Sequence, residues 1–365
     1  MKTIMILIDQ FYLHGGIEKL VGIKANYWSD RFGYDIIIVS TEQQNKKKVY
    51  ALSDQIKFID LNINYQRGIS FFHPKNLNKL SLNFRKIKDL ITTYEPDFIL
   101  VASHIPMTYL LPFVNTKAKI IKEFHYSKFD RRQGKKEKFF AKIERKYDFL
   151  AVLSEEEKKF YASDNVVIIP NPIEITSRID TGSLKNKSKI AAAILRFAPV
   201  KQIDKMVEIW EIFHQNNKDW QFYIYGDTNE EYYKGIKKLV DEKKLNDTII
   251  FKGKTNNVYK ALEEVSLLLM TSANECFPMV ILEANSCGVP VISFDSPTGP
   301  RNIIKHNVDG LIVPLNNIDI FAEQLGRIAN DPEKLYQMSF NAIENSRQYS
   351  LDKVMELWKN EIFEK

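Results

Sequence analysis

Two cations, two carboxylates and two glycine-bearing turns are the residues of this 365-residue chain whose types and spacing could do chemistry. Arg196 and Lys201 flank Phe197-Ala198-Pro199-Val200, just after the apolar run Ile190–Leu195, where a strand would hand over to a helix. Cations at such a junction can clamp a pyrophosphate, with the helix N-terminus adding to the field. They would serve as surface charges otherwise. The sharpest element is Glu275-Cys276-Phe277-Pro278-Met279-Val280-Ile281-Leu282-Glu283. Pro278 suits the first turn of a helix, where its missing N–H is no loss. Glu275 then lies in the loop and Glu283 in the second turn, among Val280, Ile281, Leu282, Ala284 and Cys287. A carboxylate buried there is costly unless paired or hydrogen-bonded. Sugar and ribose hydroxyls are suitable donors, and so is a neighbouring backbone amide.

Gly15-Gly16-Ile17-Glu18 ends the first apolar run. Paired glycines ahead of a helix let backbone amides approach an anion, though a tight turn without a ligand has the same spelling. Ser296-Pro297-Thr298-Gly299-Pro300-Arg301 is a rigid turn that would present Thr298, Gly299 and Arg301 at a strand end and complete a phosphate site. His104 and His125 both follow strands; His125, directly after Lys119–Phe124, is the better placed for function.

These residues must be held by an alternation of strands and helices. Strands are expected at Thr3–Ile8, Asp35–Val39, Lys57–Asp60, Phe98–Val101, Lys119–Phe124, Phe149–Leu153 and Val166–Ile169, with helices at Ile17–Arg31, Asn76–Tyr94 and Pro106–Val114. Pro170-Asn171-Pro172 breaks the pattern, and a polar stretch, Thr176–Ser188, follows. The alternation restarts with strands at Lys189–Leu195, Trp220–Tyr225, Thr248–Phe251, Ser266–Met270, Val289–Ser293 and Leu311–Val313. Helices fit at Ile203–Gln215, Glu230–Glu242 and Val280–Ser286, and Leu351–Phe363 is a last amphipathic helix. Such alternation implies parallel sheets with helices on both faces, so the class is α/β, with two Rossmann-like doubly wound domains facing a cleft. The expected boundaries are 1–170, 171–348 and a terminal helix, 349–365, crossing back to the first domain.

Composition is that of a globular protein, with 44% hydrophobic and 27% charged residues. Cys276 and Cys287 support no disulfide framework, and no run is long enough to span a membrane, so a cytoplasmic location is expected. Net charge is +6. An equal basic excess sits in segment 128–146, where Lys128, Arg131, Arg132, Lys135, Lys136, Lys138, Lys142, Arg145 and Lys146 face Asp130, Glu137 and Glu144. With Phe139, Phe140 and Ile143 interleaved, the segment reads as an interfacial helix docking on an anionic membrane, or as a solvated face. No nucleic-acid motif accompanies it.

In this order the motifs resemble the family-four retaining glycosyltransferases of the GT-B fold, over nearly the whole chain. The Thr298-Gly299-Pro300-Arg301 turn is similar to that of bacterial enzymes assembling lipopolysaccharide, capsule or exopolysaccharide. The resemblance implies a metal-independent transfer of a hexose, from a UDP-sugar donor, to a lipid-linked or polysaccharide acceptor, with no cofactor. It implies that Arg196 and Lys201 bind the diphosphate and that Glu283 holds the ribose. Glu275 and the amides of Phe277 and Met279 would orient the sugar, Gly16 would meet phosphate or acceptor, and His125 would contact the sugar near the reacting carbon. Two positions depart from the pattern: Gln202 replaces the usual glycine after the lysine, and Asn171-Pro172 the usual Asn-Gly. A glucan synthase or phosphorylase of the same fold is the nearest alternative. A glycoside hydrolase would leave the cation pair without a task, and a non-catalytic sugar-binding protein would not need it.

Overall fold

Uninterrupted Ile, Val, Leu and Phe runs form strands buried on both faces, and a strand so buried pairs most readily in a parallel sheet covered by helices. The structure is a computed structural model that describes residues 1–13, 15–130, 135–175, 184, 187–229 and 231–365. Most of the polar stretch 176–188, and Arg131 and Arg132 of the basic segment, lie outside the described residues. The chain divides into two units, one comprising Met1–Pro170 with Met355–Lys365 and the other Asn171–Val354. The last change of unit therefore falls inside the final helix, whereas the sequence pattern places it at 348/349.

The first unit runs β1 (Thr3–Ile8), α1 (Gly16–Asp30), β2 (Asp35–Ser40), β3 (Lys57–Asp60), α2 (Pro74–Tyr94), β4 (Phe98–Val101), β5 (Lys119–Glu123), α3 (Lys135–Glu144), β6 (Phe149–Val152), α4 (Glu155–Lys158) and β7 (Val166–Ile168). Its strands form one parallel sheet in the order β3-β2-β1-β4-β5-β6-β7. Pro106–Phe113, expected as an α-helix, is a 3-10 segment. Pro112 inside it supplies no N–H, which disfavours a continuous α-helical ladder.

The second unit runs β8 (Ile190–Ile194), α5 (Ile203–His214), β9 (Gln221–Tyr225), α6 (Glu231–Glu242), β10 (Ile249–Gly253), α7 (Val258–Glu263), β11 (Leu267–Met270), α8 (Met279–Ser286), β12 (Val291–Phe294), β13 (Gly310–Val313), α9 (Ile318–Ala329), α10 (Pro332–Ser346) and α11 (Leu351–Trp358), the last of which ends in the first unit. Its sheet is parallel in the order β10-β9-β8-β11-β12-β13. Each sheet starts in its middle and winds outward both ways, which leaves a switch point between β1 and β4 and another between β8 and β11. Crevices at the carboxyl ends of such strands are where open α/β sheets take ligands.

Helices α9 and α10 are absent from the sequence-based expectation, yet their starts carry ordinary signals. Asn317 accepts from Ile320 N at 3.0 Å, and Asp331, ahead of Pro332, accepts from Lys334 N at 2.9 Å. Such side-chain caps satisfy amides the helix cannot.

The chain's last residues complete the first unit's core. Trp358 meets Trp28 edge-on at 5.4 Å, Phe363 meets Trp28 and Phe98 at 5.0 Å each, and Lys2 donates to Phe363 O. Replacing Trp358 by Ala should cost about 3–5 kcal/mol, as for other buried Trp truncations. Thermal unfolding of the full chain checks this, and an unchanged melting profile would refute it.

Candidate functional site

At the switch point of the second unit, the turn after β8 is stitched to the exit of β11. Thr271 Oγ1 donates to the carbonyls of Lys201 at 2.9 Å and Gln202 at 3.0 Å, and Ala273 N donates to Val200 O at 2.8 Å. Gln202 sits in the left-handed region, φ 47° and ψ 50°. Glycine takes that conformation freely, whereas a residue with a Cβ loses about 1–2 kcal/mol there. That explains the glycine usual at this position. In the orientation that satisfies both ends of its amide, Gln202 also donates to Thr271 O at 2.9 Å, tying the turn to the strand by a side chain.

The stitching fixes Lys201 beside Glu275. Nζ and Oε1 are 2.5 Å apart, with the lysine side chain 25% and the carboxylate 14% exposed. A charge-assisted hydrogen bond at this partial burial holds both groups in place. A recess of about 20 Å³, room for a single water, lies beside Lys201 against Met270, Thr271 and Val280. Arg196 follows β8 and is exposed.

Glu275 is held from the other side by the turn 298–301. Thr298 is fully buried with φ 59°, and its hydroxyl donates to Glu275 O at 3.1 Å. A Cβ on Gly299 would come within 2.6 Å of Glu275 Cβ and 3.0 Å of its carbonyl oxygen, so only glycine allows this approach. The turn thus braces Glu275. Arg301 does not stand ready for phosphate: its guanidinium forks onto Asp295 at 2.7 and 2.6 Å.

Helix α8 begins at Met279, which makes Pro278 its N-cap, one position before the expected first turn. Ile281 N is the first of its amides to donate back, to Pro278 O at 3.1 Å. The amides of Met279 and Val280 are among those that helix geometry leaves without an intrahelical acceptor. Phe277 is buried, its carbonyl accepting from Asn171 Nδ2 at 3.5 Å and its ring meeting Tyr349 at 5.7 Å. The asparagine of Asn171-Pro172 thus braces the loop. Glu283 is buried. Burial first, and then its negative charge, push the Tyr259 phenol up; burial also lifts the Cys287 thiol to about 11 against Ser286 and Lys187, with Glu283 adding to the rise.

Gly16 and His125 belong to the first unit. Gly16 opens α1, but Glu18 folds back over that N-terminus, so close that a Cβ on Gly15 would lie 2.1 Å from Glu18 Oε2. Burial raises the Glu18 carboxyl, its own backbone amide opposing and Asp9 adding to the rise. An anion at α1 would have to displace this carboxylate. His125 sits just past β5 with its side chain 6% exposed, and its Nε2 is 3.6 Å from Glu123 Oε2. Glu123 Oε1 accepts from Lys24 Nζ.

Sequence reasoning missed Lys24 and Glu123, together with a second cluster at the β1–β4 switch point. There Ser103 donates to Asp9, and Arg67 bridges Glu42 at 2.6 Å and Asp9 at 3.4 Å. Strand-end position was the available signal, since Asp9, Glu42, Ser103 and Glu123 all end or follow strands. Among the described residues no His, Cys, Asp and Glu group could hold a metal ion.

Residues 176–345 match the model of the glycosyl transferases group 1 family. Over 370 residues the chain is 25% identical to an uncharacterized glycosyltransferase of Haemophilus influenzae, covering 98% of this chain and 99% of that protein. It is 26% identical over 179 residues to the lipopolysaccharide 1,6-galactosyltransferase of Salmonella typhimurium, covering 47% of this chain and 48% of that one. Anabaena HepE, solved in complex with UDP and glucose, shares the fold with a TM-score of 0.77 at 16% identity over all of both chains. Residues 176–345 thus carry a glycosyl transferases group 1 domain, and the two parallel Rossmann-like sheets of the chain have the GT-B fold.

Proposed function

We propose that the protein transfers a hexose from a UDP-sugar, with retention of configuration and without a metal, to a lipid-linked or polysaccharide acceptor in bacterial surface glycan synthesis. The observation that carries this reading is the fixed Lys201–Glu275 pair beside the start of α8, at the switch point of the second sheet. Departure of the nucleotide concentrates negative charge on its diphosphate. Lys201, Arg196 and the amides at the start of α8 that lack an intrahelical acceptor supply positive charge that needs no rearrangement as the bond breaks. Glu275, held by Thr298 and Gly299, orients the sugar with the amides of Phe277 and Met279. Glu283 holds the ribose hydroxyls, and in the first unit His125 contacts the sugar and the start of α1 at Gly16 receives phosphate or acceptor. The names of the relatives support the class: one is a lipopolysaccharide galactosyltransferase, and a neighbour was solved with UDP and glucose.

An anionic membrane surface is the partner proposed for the basic segment. Lys128 does not contribute, since it is paired with Glu144 at 2.7 Å and lies over the Tyr161 ring at 4.1 Å. Lys138, Lys142, Arg145 and Lys146 are exposed, and so is Phe139, at 60%. Exposed Leu110 and Phe113 belong to the 3-10 segment that packs on α3 through Tyr109 and Phe140, 4.6 Å apart. Basic side chains beside exposed rings suit the lipid headgroup boundary.

Two measurements check these readings. Purified protein with excess EDTA should release nucleotide slowly from one donor among UDP-glucose, UDP-galactose, their N-acetyl forms and GDP-mannose. Lys201→Ala should reduce release by about 100-fold, the usual effect of losing one transition-state charge contact. No release and no thermal stabilisation by UDP would defeat the nucleotide-sugar reading; release only with a divalent ion would defeat metal independence; inorganic phosphate released from a sugar 1-phosphate, with no nucleotide released from any donor, would favour a phosphorylase. Separately, reversing Lys138, Lys142 and Lys146 to Glu should abolish sedimentation with anionic vesicles, each lysine being worth about 1 kcal/mol at such a surface. Sedimentation unchanged in this variant would remove the membrane from the scheme.

A further inference from the structure

Glu123 and Lys24 form an ion pair inside the first unit that the proposed reaction does not use. Lys24 is 2% exposed and Glu123 6%, and the Lys24 ammonium lies 5.0 Å from the Trp358 ring and 5.9 Å from that of Trp28. A buried pair of this kind often stabilises no better than apolar residues of the same volume, so its presence calls for another task. One carboxylate oxygen is occupied by Lys24. The other, Oε2, is buried without a hydrogen-bond partner and faces His125 Nε2 at 3.6 Å, just outside hydrogen-bond reach. Both ring nitrogens of His125 are likewise buried without a hydrogen bond. Buried polar atoms of this kind are normally hydrogen-bonded, and here the carboxylate oxygen and the ring nitrogen face each other. Glu123 ends β5 and His125 follows two positions on, a spacing that sends both side chains to one side of an extended chain.

We infer that Glu123 is a positioning residue: it fixes the His125 proton on Nε2 and leaves Nδ1 open to accept from a hydroxyl of the glycosyl group. The inference rests on the reading of His125 as a sugar contact. The physical reason is that the proton of a neutral imidazole is placed by the acceptor at one nitrogen, which leaves the other as acceptor. A short rotation of the ring closes the 3.6 Å gap once Nε2 carries its hydrogen. Burial alone would push the Glu123 carboxyl up, but Lys24 and then His125 outweigh it and hold it down at about 2. Glu123 is therefore an acceptor throughout the neutral range. Lys24 and Trp358 keep it in place, so the chain's last helix supports the histidine through two intermediaries.

Nitrogen-15 NMR of the full chain labelled at histidine tests this directly. The neutral His125 ring should carry its proton on Nε2 in the wild type, and the Glu123→Gln/Lys24→Met double variant should shift toward the Nδ1–H form. The double variant leaves no buried charge unpaired. Its kcat for donor-dependent nucleotide release should fall at least tenfold, with KM for donor unchanged. A proton on Nδ1 in the wild type would overturn the inference whatever the variants do, as would a tautomer ratio or kcat that the double variant leaves unaltered while His125→Ala is inactive. Full activity in His125→Ala would instead remove the sugar-contact reading, and the tautomer measurement would still decide the role of Glu123. Should the double variant fail to fold, the wild-type spectrum by itself decides between the two tautomers and so between keeping and discarding the inference.

Discussion

A strand paired parallel to its predecessor can be reached only by carrying the chain back along the sheet, a crossover of a dozen or more residues. That constraint governs everything described here. With all strands of a sheet pointing one way, every carboxyl end emerges on the same edge, and the turns that follow β8, β11 and β12 become neighbours although they lie at 195–202, 271–278 and 295–301. The stitching of Thr271 to the carbonyls of Lys201 and Gln202, and of Thr298 to that of Glu275, is a consequence of this crowding. Backbone carbonyls at a sheet edge lack ladder partners, and hydroxyls from adjacent turns supply them. The same edge of the other sheet collects Asp9, Glu42, Ser103 and Glu123, and the polar side chains there pair among themselves for the same reason.

Much of this was legible in the sequence because buried parallel strands have a plain spelling. Thr3–Ile8, Lys57–Asp60 and Phe98–Val101 begin and end where their composition places them. The motif residues were legible too, as pairs at strand-to-helix junctions, and the structure sets Lys201, Glu275, Thr298 and Gly299 in contact. What escaped was of two kinds. Helices α9 and α10 are announced by caps rather than by the strand–helix rhythm, and attention to Asn317 and Asp331 would have found them. Lys24 and Glu123 are different, because a lysine within an amphipathic helix and a glutamate ending a strand look exposed. Only the fold brings together two residues so far apart along the chain, and no local pattern records the pairing.

Arg301 and Glu18 show how a motif can hold the right residue types in another employment. Arg301 closes onto Asp295, and Glu18 lies over the helix start that the two glycines make accessible. In the first case a cation offered to a phosphate, and in the second a helix start offered to an anion, is balanced inside the unit. Electrostatic complementarity counts where one partner remains for an incoming group, and Arg196 at the β8 turn, exposed and outside every ion pair formed among the described residues, is of that kind.

The first unit is discontinuous: its sheet is finished by Pro170, but among the described residues Trp28 and Phe98 gain their aromatic neighbours from Trp358 and Phe363. During synthesis those residues leave the ribosome after the whole of the second unit. The contiguous unit can therefore reach its final packing from its own residues, whereas the earlier-made sheet waits for residues 355–365. Order of manufacture and order of completion are thus reversed, and in the interval apolar surface that Trp358 and Phe363 will cover is open to misassembly.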